Sequence, residues 1–516
     1  MEMKFRLAIL FLPCFAIAQQ PPIGDGTDLL LRGGQVIDGS GAAPRFADVA
    51  IRGDRIVLVG DGSKVQAART LDAKGLIVSP GFIDPHAHVL EDLLSPAKKA
   101  NEAYLLQGVT TTITGNDGAG PIQSGATLAK WTQQGIGTNA AVYIGQGTVR
   151  REVMGMSDAA PSAEQVAKMR SLVARGVSEG AIGMSTGLYY APGSYAKTEE
   201  VIELAKAAAA GGGIYDSHLR DEDSYTIGLL GAIREAIRIS REAKIPVHIS
   251  HIKALGPEVW GQSTQVIEMI RQARAEGLEI TADQYPYDAS GSSVTASLIP
   301  RWAEVGGNTE LLKRIGDPAV RPRLMQEMEQ NLKRRNGPQS LLIISGSDKS
   351  LIGKTLAAIA AEKKESPVEA ALEIVKNGGA GVASFNMSES DIENFMKQDW
   401  VMTGSDGSEG HPRKYGTFPR KLRIYVREKK IISLPYAIHS STALTAQALH
   451  LADRGLLREG YFGDVIAFDP ATVADQATYE HPDILATGMK YVIVNGKIAV
   501  DGGRYTGVLS GRALRH

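Results

Sequence analysis

Short apolar runs of strand length recur through the middle of the chain, at residues 77–84, 110–114, 140–144, 181–185, 213–218, 245–251, 278–283 and 401–406. Between several of them lie stretches with apolar positions at helical spacing, at residues 163–175, 198–210, 229–243 and 265–276. Strand-then-helix units repeated across residues 77–451 predict an α/β fold, a (β/α)8 TIM-like barrel. The two ends read differently. Residues 29–31, 35–38, 47–52, 55–59 and 70–72 are short β-like runs between turn signals. The C-terminal region repeats this style at 464–468, 491–494 and 497–500, with Asn495-Gly496 as a hairpin turn. A small composite β-sandwich built from both termini, residues 19–76 and 454–516, is therefore expected around a barrel at 77–453. Residues 289–345 break the rhythm with Gly, Ser, Pro and a charged helix at 320–335, which predicts an inserted subdomain.

Composition narrows the classes. With 43% hydrophobic and 22% charged residues the chain has enough apolar material for a packed core, which excludes wholesale disorder. Lys+Arg 56 against Asp+Glu 57 leaves a net charge of −1, so nothing points to nucleic acid or anionic lipid as a partner. A small-molecule partner is expected instead. Residues 1–18 read as a signal peptide: Lys4 and Arg6 precede an apolar run at 7–18 that ends in Ala16-Ile17-Ala18, with cleavage expected after Ala18. That run is too short to span a bilayer. The expectation is a periplasmic or secreted protein without stable membrane insertion. Cys14 is the only cysteine, so the mature chain would lack disulfides, thiolate metal ligands and a cysteine nucleophile.

In a barrel, chemistry collects at the C-terminal ends of the strands. The first barrel strand ends in Asp84-Pro85-His86-Ala87-His88, and two histidines at i, i+2 on a strand point to the same side. His218 and His251 each close a later strand, and the run 401–406 ends in Asp406. Imidazole and carboxylate ligands suit Zn2+, one ion or two. A divalent ion there would acidify water and polarise a carbonyl under attack, with Asp406 as the general acid/base. Residues 115–118, Gly-Asn-Asp-Gly, read on local grounds as a turn.

A set of longer motifs carries a resemblance. These are SPGFIDPHAHV at 79–89, GVTTTITGNDG at 108–118, GMSTGLYYAPG at 183–193, SHLRDE at 217–222, ISHIK at 249–253, DQYPYDAS at 283–290 and GSDGSEGHPRKYGTFPR at 404–420. Together they resemble the amidohydrolase superfamily and, within it, the D-aminoacylase (N-acyl-D-amino-acid deacylase) family. The resemblance implies hydrolysis of the N-acyl amide of N-acyl-D-amino acids. It implies His86 and His88 at one metal position, His218 and His251 at a second, and Asp406 as general acid/base and metal ligand. Tyr190, Lys253, Tyr285 and Arg413 would hold the substrate, the two cations suiting a free carboxylate. The family places a cysteine ligand in GNCG, where this chain has Asp117, an anionic but harder metal ligand.

Two other readings fit part of the pattern. A cyclic-amide hydrolase of the dihydroorotase or hydantoinase kind, or a dipeptidase, would keep the barrel; such relatives commonly use a carboxylated lysine on a mid-barrel strand, and 181–185 offers no lysine. A degenerate barrel acting as a binding protein would lack ligands, whereas four strand-end histidines and Asp406 are present.

Overall fold

The computed structural model describes residues 26–516, so the segment expected to be a signal peptide, Cys14 included, lies outside the described residues. A barrel of parallel strands forms the centre. Its strands are Phe82–Asp84, Val109–Thr114, Asn139–Val142 continued by Ile144–Gly145, Gly183–Gly187, Ile214–His218, Val247–Ile249, Ile280–Gln284 and Val401–Thr403. Closure between the last strand and the first is made just beyond their C-terminal ends. There Asp406 N–H donates to His86 O at 2.8 Å, and Ala87 bridges Gly407 in parallel. The expected barrel fold is therefore present.

Helices Ala163–Ser178, Thr198–Ala210, Gly228–Ala243 and Ser263–Ala275 pack outside the strands, where the sequence periodicity predicted them. The first begins with a capping box between Ser162 and Gln165, which satisfies free N–H groups of its opening turn. Each buries one apolar stripe against the sheet, such as Leu229, Ile233, Ala236 and Ile237 of Gly228–Ala243. Burying the leucine and isoleucine side chains contributes roughly 1.5–3 kcal/mol apiece.

The run 77–84, read as one strand, is two. Ile77–Pro80 belongs to the terminal sheet, and Phe82–Asp84 opens the barrel. Gly81 makes the break, because a Cβ there would stand 2.2 Å from Thr110 Oγ1. The terminal sheet has nine strands drawn from both ends of the chain, with Val465–Phe468 pairing Ile77–Pro80. Thr27–Val36 forks it: after a bulge between Leu31 and Gly34 its partner changes from Ala67–Asp72 to Ile77–Pro80. The two arms share a core that includes Leu31, Ile51, Leu71, Val465 and Ile493.

The inserted unit is larger than the sequence suggested. It runs from Ala289 to Phe385 as an antiparallel sheet, Ala289–Ser293, Ala380–Phe385, Leu341–Gly346, covered by helices that include Arg321–Arg334, Leu356–Lys363 and Pro367–Lys376. It has its own core, with Leu298, Leu324, Met328, Ile343, Leu372 and Val382. A boundary near 345 falls inside this sheet, because the helices after it copy the barrel's own rhythm. No helix among the described residues is long and apolar enough to cross a membrane.

Candidate active site

The C-terminal ends of the barrel strands converge on a cavity of about 550 Å3. His88, Asp117, Tyr190, His218, His251, Lys253, Tyr285, Asp406 and Arg413 line it, and His86 lies buried just behind. Three of these residues leave the strands in the left-handed backbone region: Asp117 at φ 58°, His251 at φ 36° and Asp406 at φ 47°. Non-glycine residues held this way cost on the order of 1–3 kcal/mol each, and such strain gathers at functional sites. Asp84 pins the first turn, its Oδ1 accepting from His86 N–H at 3.1 Å and from Ser405 N–H at 3.0 Å. Asp283 pins another by accepting from His251 N–H at 2.9 Å.

Two groups of donor atoms share one member. His86, His88, Asp117 and Asp406 form the first, and Asp117, His218 and His251 the second, with the ligand atoms of each within 4.8 Å of one another. Asp117 Oδ1 stands 3.5 Å from His86 Nε2, 3.4 Å from His218 Nδ1 and 3.5 Å from His251 Nε2. Its Oδ2 is 3.4 Å from His88 Nε2. Ligands at zinc distances in a tetrahedral shell are spaced by roughly 3.4 Å, so the donor set fits a metal. His218 Nδ1 and His251 Nε2, at 2.8 Å, are closer and would have to open slightly. His86 Nε2 and Asp117 Oδ1 are buried without any hydrogen-bond partner, the condition a bound cation would relieve.

The electrostatics agree. Burial opposes ionisation of Asp117, but His86 and His218 outweigh it and hold the carboxyl well below the usual range. Asp406 is likewise held low, where Arg413 and His251 overcome burial. Glu222, pushed up by burial, is pulled down to about 2 by Lys253 and His251.

Glu222 was not singled out by sequence reasoning, although it ends the SHLRDE motif. It accepts from Lys253 Nζ at 2.7 Å and stands 3.2 Å from His251 Nδ1, on the side of that ring facing away from Asp117. A carboxylate in this place orients a ligating imidazole. Lys253, expected to hold substrate, lines the cavity and donates to Glu222 and to His251 O at 2.9 Å. Arg413 opens helix Arg413–Arg420. Its Nη1 stands 2.9 Å from Asp406 Oδ2 and its guanidinium lies 4.6 Å over the Tyr285 ring. Tyr190 packs its ring 4.7 Å from that of His218.

Residues 69–500 match the family model described as the amidohydrolase family. The chain belongs to that family. It is 35% identical to a D-aminoacylase of Alcaligenes xylosoxydans xylosoxydans over 94% of this chain and 97% of the relative. It is 34% identical to an N-acyl-D-glutamate deacylase of the same organism, over 91% of this chain and 93% of that one. A solved structure of N-acyl-D-glutamate deacylase from Bordetella bronchiseptica, complexed with zinc and a phosphonate inhibitor, superposes with a TM-score of 0.83. That pair is 30% identical, covering 95% of this chain and all of the other. Placed with D-aminoacylases among the amidohydrolases, the protein is a metal-dependent hydrolase of amide bonds.

Proposed function

We propose that the protein hydrolyses the N-acyl amide of N-acyl-D-amino acids, giving a carboxylate and a free D-amino acid, with zinc as its metal. The named activities of its relatives support the substrate class, and the zinc in the Bordetella deacylase structure supports the metal. His86, His88, Asp117 and Asp406 would hold one ion, and Asp117, His218 and His251 a second. A divalent ion so held supplies Lewis acidity, lowering the pKa of water and polarising the amide carbonyl.

This chain's own residues supply the rest. Asp406, ionised at neutral pH, accepts the proton of the attacking water and passes it to the amide nitrogen as the C–N bond breaks. The proton thus leaves with the amine, and the water oxygen stays with the acyl carbon. Arg413 carries the assignment of substrate. It is a buried cation beside Asp406, and its Nε and Nη1 find no aligned hydrogen-bond acceptor. That arrangement receives a carboxylate one atom away from the scissile amide, which an N-acyl amino acid has and a neutral cyclic amide lacks.

Arg413→Ala is expected to raise KM for an N-acetyl-D-amino acid by roughly 10- to 150-fold, the worth of a charge-assisted contact. The matching carboxamide, lacking that charge, should lose much less. Equal losses on acid and carboxamide would make Arg413 structural and remove the support for this substrate.

Export rests on the residues before Gln19: Lys4, Arg6 and the apolar run that follows them. N-terminal sequencing of the purified protein from an exporting host should read from Gln19; an intact Met1 in the periplasmic fraction would contradict cleavage.

A further inference from the structure

Besides Arg413 and Lys253, a third buried cation lines the active-site cavity. Arg335, 2% exposed, directly follows helix Arg321–Arg334 of the inserted unit and reaches the cavity wall. Its partners are neutral hydroxyls. Nε donates to Tyr225 Oη at 2.7 Å, Nη2 to Tyr189 Oη at 2.9 Å, and Nη1 weakly to Ser290 Oγ at 3.5 Å. Each terminal nitrogen keeps a hydrogen to spare.

The other two buried cations each stand beside a protein carboxylate, Lys253 by Glu222 and Arg413 by Asp406, although Arg413 keeps Nε and Nη1 without an aligned acceptor. Arg335 has no carboxylate within ion-pair distance among the described residues. Asp223, whose buried carboxyl feels its charge, lies farther off and outside the cavity lining. A buried guanidinium held in place by hydroxyls but lacking an anion is a costly arrangement unless a ligand supplies the anion.

Its position says which part of a substrate would do so. Strand Ala289–Ser293 forms part of the cavity wall. Arg335 meets this strand at Ser290, and Arg413 meets it at the next residue, since a Cβ on Gly291 would stand 2.6 Å from Arg413 Nη2. Both guanidiniums thus border one cavity beside one strand, where a single molecule bearing two carboxylates would meet both. We propose that Arg335 receives the side-chain carboxylate of an acidic N-acyl-D-amino acid, making the protein selective for D-glutamate or D-aspartate derivatives. This rests on the deacylase reading above, in which Arg413 takes the α-carboxylate. Planar, bidentate pairing with a carboxylate is what a fixed guanidinium offers and a lysine does not.

The test compares N-acetyl-D-glutamate, its isostere N-acetyl-D-glutamine, N-acetyl-D-methionine, and the pair N-succinyl- and N-acetyl-D-alanine on the zinc-loaded enzyme. Wild type should favour glutamate over glutamine by about 10-fold or more in kcat/KM, chiefly through KM. Arg335→Gln should bring that ratio close to 1, and Arg335→Lys should restore part of it. If Arg335→Gln does not fold, the wild-type ratio decides alone. Equal turnover of glutamate, glutamine and methionine derivatives would overturn the proposal while leaving the deacylase reading intact, as would an unchanged ratio in a folded Arg335→Gln. A preference for the succinyl over the acetyl group on alanine, with no glutamate preference, would place the second carboxylate on the acyl side and overturn it too. No turnover of any N-acyl-D-amino acid would overturn both.

Discussion

Among the described residues Asp117 is the one shared by both groups of atoms that could hold a metal, with Oδ1 turned to His86, His218 and His251 and Oδ2 to His88. Loss of this residue and loss of Asp406 should therefore differ. Asp117→Ala is expected to deplete metal from both groups, read by metal analysis after dialysis. Asp406→Asn leaves Asp117, His218 and His251 in place, so metal in that group should persist while kcat falls by roughly 10²- to 10⁴-fold. Full activity in Asp406→Asn, or unchanged metal content in Asp117→Ala, would contradict these roles. The histidines were legible from the chain because each falls at or just past the end of an apolar run, where barrel chemistry collects. Only His218 lies within its strand, and His86, His88 and His251 follow theirs, so their end position and not the strand's two-residue period brings them together. Asp117 was legible only through its motif, since on local grounds Asn116-Asp117-Gly118 reads as a turn, and a turn it is, with φ positive at Asp117. Glu222 and Arg335 were not legible as site residues. Each lies beyond a regular element, and only the folded chain brings them to His251 and Ser290.

At the scale of elements, the segment after Asp406 shows how a rigid support is built behind the site. Helix Arg413–Arg420 contains Pro419, which lacks an N–H for the helical ladder, and the chain widens into the π-helical turn Lys421–Glu428 directly after it. Lys421 is buried there and donates to Thr403 Oγ1 at 2.7 Å and Ser440 Oγ at 3.0 Å, tying this helix to the end of the last barrel strand. Burial alone pulls its pKa down to about 7. The folded chain therefore releases a proton above pH 7 that the unfolded chain keeps until about 10.5. The unfolded state binds more protons in that window, so this residue makes stability rise with pH from 7 to 10.5, and its penalty is full below pH 7. Lys421→Met removes the penalty. Thr403 and Ser440 keep other partners in Ser441 and Ala437 O. The variant is expected to be more stable than wild type at pH 7, by on the order of a few kcal/mol, with the difference shrinking toward pH 10. Denaturant titrations of both chains across that range check it; a constant difference would mean that Lys421 stays charged when buried. The inserted unit shows the converse limit on reading a sequence. Its helices 356–363 and 367–376 have ordinary amphipathic spacing, and only antiparallel pairing of Ala380–Phe385 with strands on either side assigns them to the insertion and not to the barrel.

Across the whole molecule, the terminal sheet and the barrel are locked together at the end of the barrel remote from the site. Asn139, at the start of its barrel strand, donates to Asp464 Oδ2 at 3.2 Å and accepts from Asn495 Nδ2 at 2.7 Å; Asp464 also pairs with buried Arg454. The C-terminal residues join the same end, with Ala140 N–H donating to Arg512 O at 2.9 Å. Stability is thereby concentrated at one end of the strands and chemistry at the other, where the inserted unit contributes part of the cavity wall. On the proposed function, this cavity cleaves N-acyl amides of D-amino acids with metal held by Asp117, Asp406 and the four histidines. The most direct test is the ratio of kcat/KM for an N-acetyl-D-amino acid to that for its L mirror image on the zinc-reconstituted enzyme. An acidic side chain is the first choice of substrate. The D form should be favoured by several hundred-fold or more, about the discrimination that losing two well-placed contacts produces. Comparable rates on both enantiomers, or the same rate after the metal is stripped, would contradict it.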